Sequence, residues 1–191
     1  MLSKGNTGLI VVDVQGKLAT LMHESDALIE NITKLVKGAK ALDLPILWLE
    51  QNPERLGPTA EPIREVLESK HLPITKYTFD GCKEATFNVA VENAKVDTWL
   101  VCGIESHICV YQTAVSLRQS GYRVELVTDC VSSRTAANKA LALAKLTANG
   151  VVLTGLEMCL YEIVEDCRAP EFKEILAPSN SVITGINNNF I

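Results

Sequence analysis

The chain has 191 residues, 47% of them hydrophobic and 21% charged. This is enough for one domain with a sizeable core and is not the composition of a disordered chain. Net charge is −5 with no basic run, which argues against a nucleic-acid surface, and no apolar stretch approaches the length of a membrane span.

The N-terminal MLSKGNTGLIVVD carries a short apolar run without a cleavage site and reads as a first strand, Gly8–Val12, not a signal peptide. Its continuous β-branched character is that of a strand buried on both faces, and it ends at Asp13. Residues 25–42 place Ile29, Ile32, Leu35, Val36, Ala39 and Leu42 at helical spacing. Pro45–Leu49 is a second strand, residues 50–60 form a Pro/Gly-rich loop, and a helix is expected from Glu61 to Ser69. Leu72–Thr75 is a third strand that ends at Lys76; Pro73 assigns it to an edge or to a strand's first residues.

Residues 82–94 read as helical. Trp99–Cys102 is a fourth, buried strand, ended by Gly103. Tyr122–Val127 is a fifth, entered through Gly121 as a helix C-cap. Residues 129–134 form a loop, 135–148 an Ala-rich helix and Val151–Thr154 a sixth strand. Helices are expected at 156–166 and near 170–176, with a loosely ordered polar tail from Pro178. Strands alternating with helices predict a three-layer α/β/α, Rossmann-like fold: an open six-stranded parallel sheet with helices on both faces. Ligands then bind beyond the carboxyl ends of the strands.

The most informative stretch is DTWLVCGIESHICVYQTAVSLR, residues 97–118. After the fourth strand, Ser106 reads as an N-cap. Val110, Ala114, Val115 and Leu117 make an apolar helix face, which puts Cys109 in the first helical turn. Unpaired N–H groups and the helix dipole at that place would lower a thiol's pKa and hold a developing oxyanion. The alternative is a small buried hydrophobe, as free cysteines commonly are. Asp13 and Lys76 also lie at strand ends. With strands one, three and four near the sheet centre, all three side chains open onto one crevice. Cys109 then serves as nucleophile, Asp13 as general base and later acid, and Lys76 as the cation that stabilises the thiolate and keeps Asp13 ionised. Each also has a plain reading, Asp13 as a turn cap and Lys76 as a surface charge.

His107 is the rival base, but residues two apart on a helix do not face each other. His23 and His71 have no motif around them. The six cysteines, Cys82, Cys102, Cys109, Cys130, Cys159 and Cys167, form no CxxC pair; a reducing cytoplasm is expected in place of a disulfide framework. No metal and no cofactor are expected, since HExxH, paired Cys/His spacing and an EF-hand loop are all missing from the sequence.

These residues give the chain its resemblance to the isochorismatase-like (cysteine) hydrolase family. The match lies in Leu9–Asp13 followed by Gln15, in Lys76 within ITKYTFDGC, in GIESHICV at 103–110 and in GYRVELVTDCVSSR at 121–134, and runs from about residue 7 to 165. The resemblance implies a six-stranded parallel sheet and a catalytic triad of Asp13, Lys76 and Cys109. It also implies a cis peptide at Ile104–Glu105 and an oxyanion hole made by the N–H groups of Glu105 and Cys109. Nicotinamidases of this family carry metal ligands as Asp-x-His after the second strand; here the segment is Glu50-Gln51-Asn52-Pro53, with Asn52 in place of His. True isochorismatases cleave a vinyl ether and generally lack the cysteine.

Gln15 either bonds to substrate or ties down the loop after strand one. Glu50 and Gln51 are candidates for substrate selection. Phe79 and Tyr77 either line the pocket or pack locally, and Arg134 anchors a loop or a subunit contact. The expected function is hydrolysis of a small amide-like C–N bond through a thioester. The alternatives are a small-molecule-binding or thiol redox protein with little turnover, and a vinyl-ether hydrolase. The expected partners are a small-molecule substrate and further copies of the chain in a homo-oligomer, with no nucleic acid and no membrane.

Overall fold

Every residue of β1, Thr7–Val12, is buried, as a β-branched run between two helical layers requires. Its side chains alternate: Leu9 and Val11 enter one apolar cluster, Ile10 and Val12 the other. In the computed structural model, which describes residues 1–68 and 70–179, β1 is central in a parallel sheet. The other strands are β2 (Ile46–Gln51), β3 (Ile74–Lys76), β4 (Thr98–Ile104), β5 (Arg123–Ser132) and β6 (Val152–Thr154), in the order β3-β2-β1-β4-β5-β6.

The helices are α1 (Gly16–Thr20), α2 (Ser25–Ala41), α3 (Pro53–Leu56), α4 (Glu61–Leu67), α5 (Ala85–Asn93), α6 (Tyr111–Gln119), α7 (Ala136–Ala148), α8 (Leu156–Val164) and α9 (Phe172–Ser179). Residues from α2, α4, α8 and α9 pack on the Leu9/Val11 face; residues from α5, α6 and α7 pack on the Ile10/Val12 face. The expected three-layer parallel architecture is therefore the one observed. Among the described residues, no helix is long and apolar enough to cross a membrane.

Several expected boundaries shift. Residues 129–132 are not loop: β5 continues to Ser132 through an irregularity, after which Gly103 pairs with Val131 and Ile104 with Ser132. Residues 50–60 contain the end of β2 and the short helix α3, and α1 was not expected. The 82–94 helix is split by extended Glu84 into a 3₁₀ turn, Gly81–Lys83, and α5. Leu72 and Pro73 lie outside β3. Ser69 and residues 180–191, where a helix end and most of the polar tail were expected, lie outside the described residues.

The strand order reverses between β1 and β4, whose registers bring Val12 against Gly103. A crevice opens at such a reversal. Gly103 has φ +118°, and a Cβ built there would lie 2.0 Å from the Val12 carbonyl oxygen. Only glycine combines that dihedral with so close a backbone approach. Gly103→Ala is expected to destabilise the protein by about 2–5 kcal/mol through strain and overlap, measured by urea unfolding; an unchanged midpoint would contradict this packing.

Candidate active site

Asp13 follows β1 directly, in the left-handed region at φ 51°, which aspartate tolerates better than most residues. Lys76 ends β3 and is completely buried. The expectation that strands one, three and four are all central holds for β1 and β4 but not for β3, which is an edge. The length of the lysine closes the gap across the end of β2. Its Nζ donates to Asp13 Oδ2 at 2.6 Å and to Gln51 Oε1 at 2.7 Å, with the carbonyl oxygens of Thr78 and Phe79 at 3.2 and 3.4 Å. An ammonium removed from water costs several kcal/mol unless partners surround it, and these acceptors are its surroundings.

Cys109 lies in a π-helical turn, Ser106–Val110, between β4 and α6. The Ile104–Glu105 peptide just before it is cis. Ser106 does not cap this turn: extended Glu105 precedes it, and among the described residues the Ser106 hydroxyl has no hydrogen-bond partner. The thiol of Cys109 interacts with both Asp13 and Lys76. The structure thus brings the three sequence-distant side chains together.

Their electrostatics differ from the sequence expectation in one respect. Burial, reinforced by the Asp13 carboxylate and opposed by the Lys76 ammonium, pushes the Cys109 thiol up to about 12. The expected lowering by a helix N-terminus is overturned because desolvation outweighs it. Burial also raises the Asp13 carboxyl; Lys76 opposes this and Glu50 adds to it. Among the described residues Asp13 Oδ1 is buried with no conventional hydrogen-bond partner, and the thiol of Cys109, a weak donor, hydrogen-bonds to the Asp13 carboxyl.

The other candidates occupy supporting positions. Gln15 is fully buried: Nε2 donates to the carbonyls of Gln51 and Gly57, and Oε1 accepts the Gln51 N–H. These are the bonds of a loop tie. Glu50 Oε1 accepts from the Thr59 N–H and hydroxyl, so this carboxylate fastens the loop after α3. Gln51 holds Lys76 through Oε1 and donates through Nε2 to the Tyr77 carbonyl. The side chains of Tyr77 and Phe79 are not packed locally; they are 66% and 56% exposed.

Arg134 pairs through Nε with Glu105 Oε2 at 3.2 Å, and its N–H donates to the same oxygen. This fastens the end of β5 to the residue after the cis bond. His107 Nδ1 meets Ser133 Oγ at 2.9 Å. Among the described residues, no group of three or more His, Cys, Asp or Glu side chains is placed to hold a metal ion. Sequence reasoning missed Asp80, Thr113 and Ser116, which pin the loop after Lys76 to α6. The Asp80-Gly81 pair before a helical segment is the signal that would have found the first.

Residues 7–158 match the family model described as the isochorismatase domain. The secreted isochorismatase effector Isc1 of Phytophthora sojae is 34% identical over 173 residues, covering 87% of this chain and 81% of that protein. The solved structure of MAR1 ribonuclease from Caenorhabditis elegans is similar with a TM-score of 0.88 at 27% identity, covering 100% of this chain and 96% of that one. The Escherichia coli YcaC gene product, titled an octameric hydrolase of unknown specificity, shares the fold with a TM-score of 0.83 at 19% identity, covering 95% and 97%. A family match over most of the length, joined to a relative of this identity and coverage, establishes that the chain belongs to the isochorismatase-domain family.

Proposed function

We propose that this family member is a cysteine hydrolase acting on a small amide-like C–N bond. The observation that carries the reading is the buried meeting of Asp13, Lys76 and Cys109 at the sheet's reversal point. Cys109 Sγ attacks the carbonyl carbon while its proton passes to Asp13. The carbonyl oxygen becomes an oxyanion, for which the backbone N–H groups of Glu105 and Cys109 are the proposed donors. The C–N bond then breaks, Asp13 returns the proton to the leaving nitrogen, and a thioester remains. Water attacks the thioester, Asp13 takes its proton, and the C–S bond breaks. The sulfur recovers the proton and the acid is released.

A neutral resting thiol fits this sequence, because the proton then moves with the attack and no stored thiolate is needed. Lys76 offsets the charge on Asp13 before transfer and the charge on sulfur after it. Gln15 and Glu50 tie down the loop between Gln51 and Thr59. Exposed Phe79 and Tyr77 are the aromatic candidates for substrate selection, with Gln51 positioning Lys76. The free cysteines favour a reducing compartment, and the octameric YcaC makes a homo-oligomer the proposed assembly.

One finding favours a second reading: the Caenorhabditis elegans neighbour is named a ribonuclease. A net charge of −5 weighs against an RNA surface. RNA cleavage that persists in Cys109→Ala would select this reading over ours.

Cys109→Ala is expected to lower turnover by at least about 10³-fold in a screen of small amides and ureides, with the circular dichroism unchanged; full activity in this variant would overturn the proposal. For pH, Asp13 must be ionised to accept the proton. Its carboxyl is raised by burial and by Glu50 and lowered by Lys76, with the net direction upward. Activity is therefore present at high pH and lost as pH falls, with a midpoint above 3.8, the ordinary aspartate value. A kcat/KM profile whose acid limb lies at or below that value would contradict the assignment.

A further inference from the structure

The loop after Lys76 is held by bonds that its own folding does not require. Asp80 is buried. Its Oδ1 accepts the Cys82 N–H at 2.9 Å and so caps the 3₁₀ turn. Its Oδ2 accepts the Ser116 hydroxyl at 2.7 Å. This second bond caps nothing. It runs to α6, two helical turns beyond Cys109 in one continuous helical run. Beside it, the Gly81 N–H donates to Thr113 Oγ1 at 2.9 Å. A Cβ at Gly81 would stand 3.0 Å from Leu49 Cδ1 and 3.2 Å from Thr113 Cγ2, so loop, sheet and helix meet closely at this point.

The same loop presents the carbonyls of Thr78 and Phe79 to the Lys76 ammonium. Thr78 Oγ1 also donates to the Asp80 carbonyl at 2.8 Å. The Lys76 environment and the helix that carries Cys109 are therefore joined through the Asp80 carboxylate and the Ser116 hydroxyl, with the Gly81–Thr113 bond beside them. We infer that Asp80, held by Ser116, is a positioning residue that fixes the Lys76 ammonium against Asp13 by clamping the Thr78–Phe79 carbonyls to the helix of Cys109. The inference rests on the proposed acid–base roles of Asp13 and Cys109. Neither Asp80 nor Ser116 belongs to that machinery; both act through the loop.

Loss of the clamp frees the Thr78–Phe79 segment and lets the ammonium drift from Asp13. The charged or titratable groups facing Asp13 are Lys76 from β3, Glu50 from β2 and Cys109 from the turn after β4. Lys76 is the main group that favours ionised Asp13, with a smaller contribution from the Cys109 thiol's hydrogen bond, whereas desolvation and Glu50 oppose it. A looser ammonium therefore moves the Asp13 titration upward, and the proton acceptor for the thiol is lost at a higher pH than in the wild type.

The test needs no substrate. Iodoacetamide alkylates Cys109: the Sγ–C bond forms, the C–I bond breaks, iodide leaves and the thiol proton passes through Asp13 to solvent. The rate at Cys109 is followed by peptide mass spectrometry on the full chain across about pH 4–9. Exposed Cys167 in the same digest is the internal reference. Ser116→Ala and Asp80→Asn are expected to slow alkylation about fivefold or more and to raise the midpoint of the acid limb by about half a unit or more. Ser116→Thr, which keeps the hydroxyl, restores both. A clamp that merely stabilises the fold would lower the melting temperature and leave the midpoint in place; a midpoint unchanged in whichever of the two variants folds, alongside a flattened limb in Asp13→Asn, overturns the inference alone. An Asp13→Asn profile identical to the wild type overturns the acid–base reading and, with it, the inference.

Discussion

The buried ion pair between Lys76 and Asp13 is the constraint around which this end of the molecule is arranged. An ammonium and a carboxylate 2.6 Å apart and almost wholly buried are costly to hold unless polar partners surround them. Those partners are Gln51 and the carbonyls of Thr78 and Phe79. Among the described residues one carboxylate oxygen, Oδ1 of Asp13, is left without a conventional partner, and the Cys109 thiol interacts with this carboxyl. The geometry of the site follows from satisfying a charge that the fold has buried.

That burial also sets the chemistry available. A thiol at a solvated helix N-terminus would be partly ionised and open to any electrophile. Here desolvation keeps the sulfur protonated, and the carboxylate next to it is made more basic by the same removal of water. The two shifts have one cause and act together: a reluctant acid faces a strengthened base, and a fixed cation interacts with both. Under the proposed reaction, proton transfer and nucleophilic attack are coupled events, and reactivity is confined to molecules that enter the crevice.

The supporting residues show how much of a site consists of loop fastening. Gln15 and Glu50 look like substrate groups because they are polar and stand at strand ends. Both make hydrogen bonds to backbone or hydroxyl groups of the segment between Gln51 and Thr59. Arg134 and Glu105 do the same for the end of β5, as do Asp80 and Ser116 for the loop beyond Lys76. In the same loop the aromatic side chains of Tyr77 and Phe79 are exposed.

What the sequence determined by itself was whatever has a local cause. Apolar β-branched runs bounded by helical periodicity specify buried parallel strands, so the fold and the strand-end positions of Asp13, Lys76 and Cys109 were legible before any coordinates. Motif likeness added the cis bond and the family. Tertiary structure alone decided that the lysine of edge strand β3 reaches across β2, that β5 passes an irregularity to continue to Ser132, and that Ser106 leads into a π-helical turn without capping it. It alone decided the protonation of the thiol, because desolvation depends on which distant segments close over a group, and no spacing along the chain records that. The same reason hid Asp80 and Ser116. Their bond spans 36 residues, and its meaning lies in what each end is attached to.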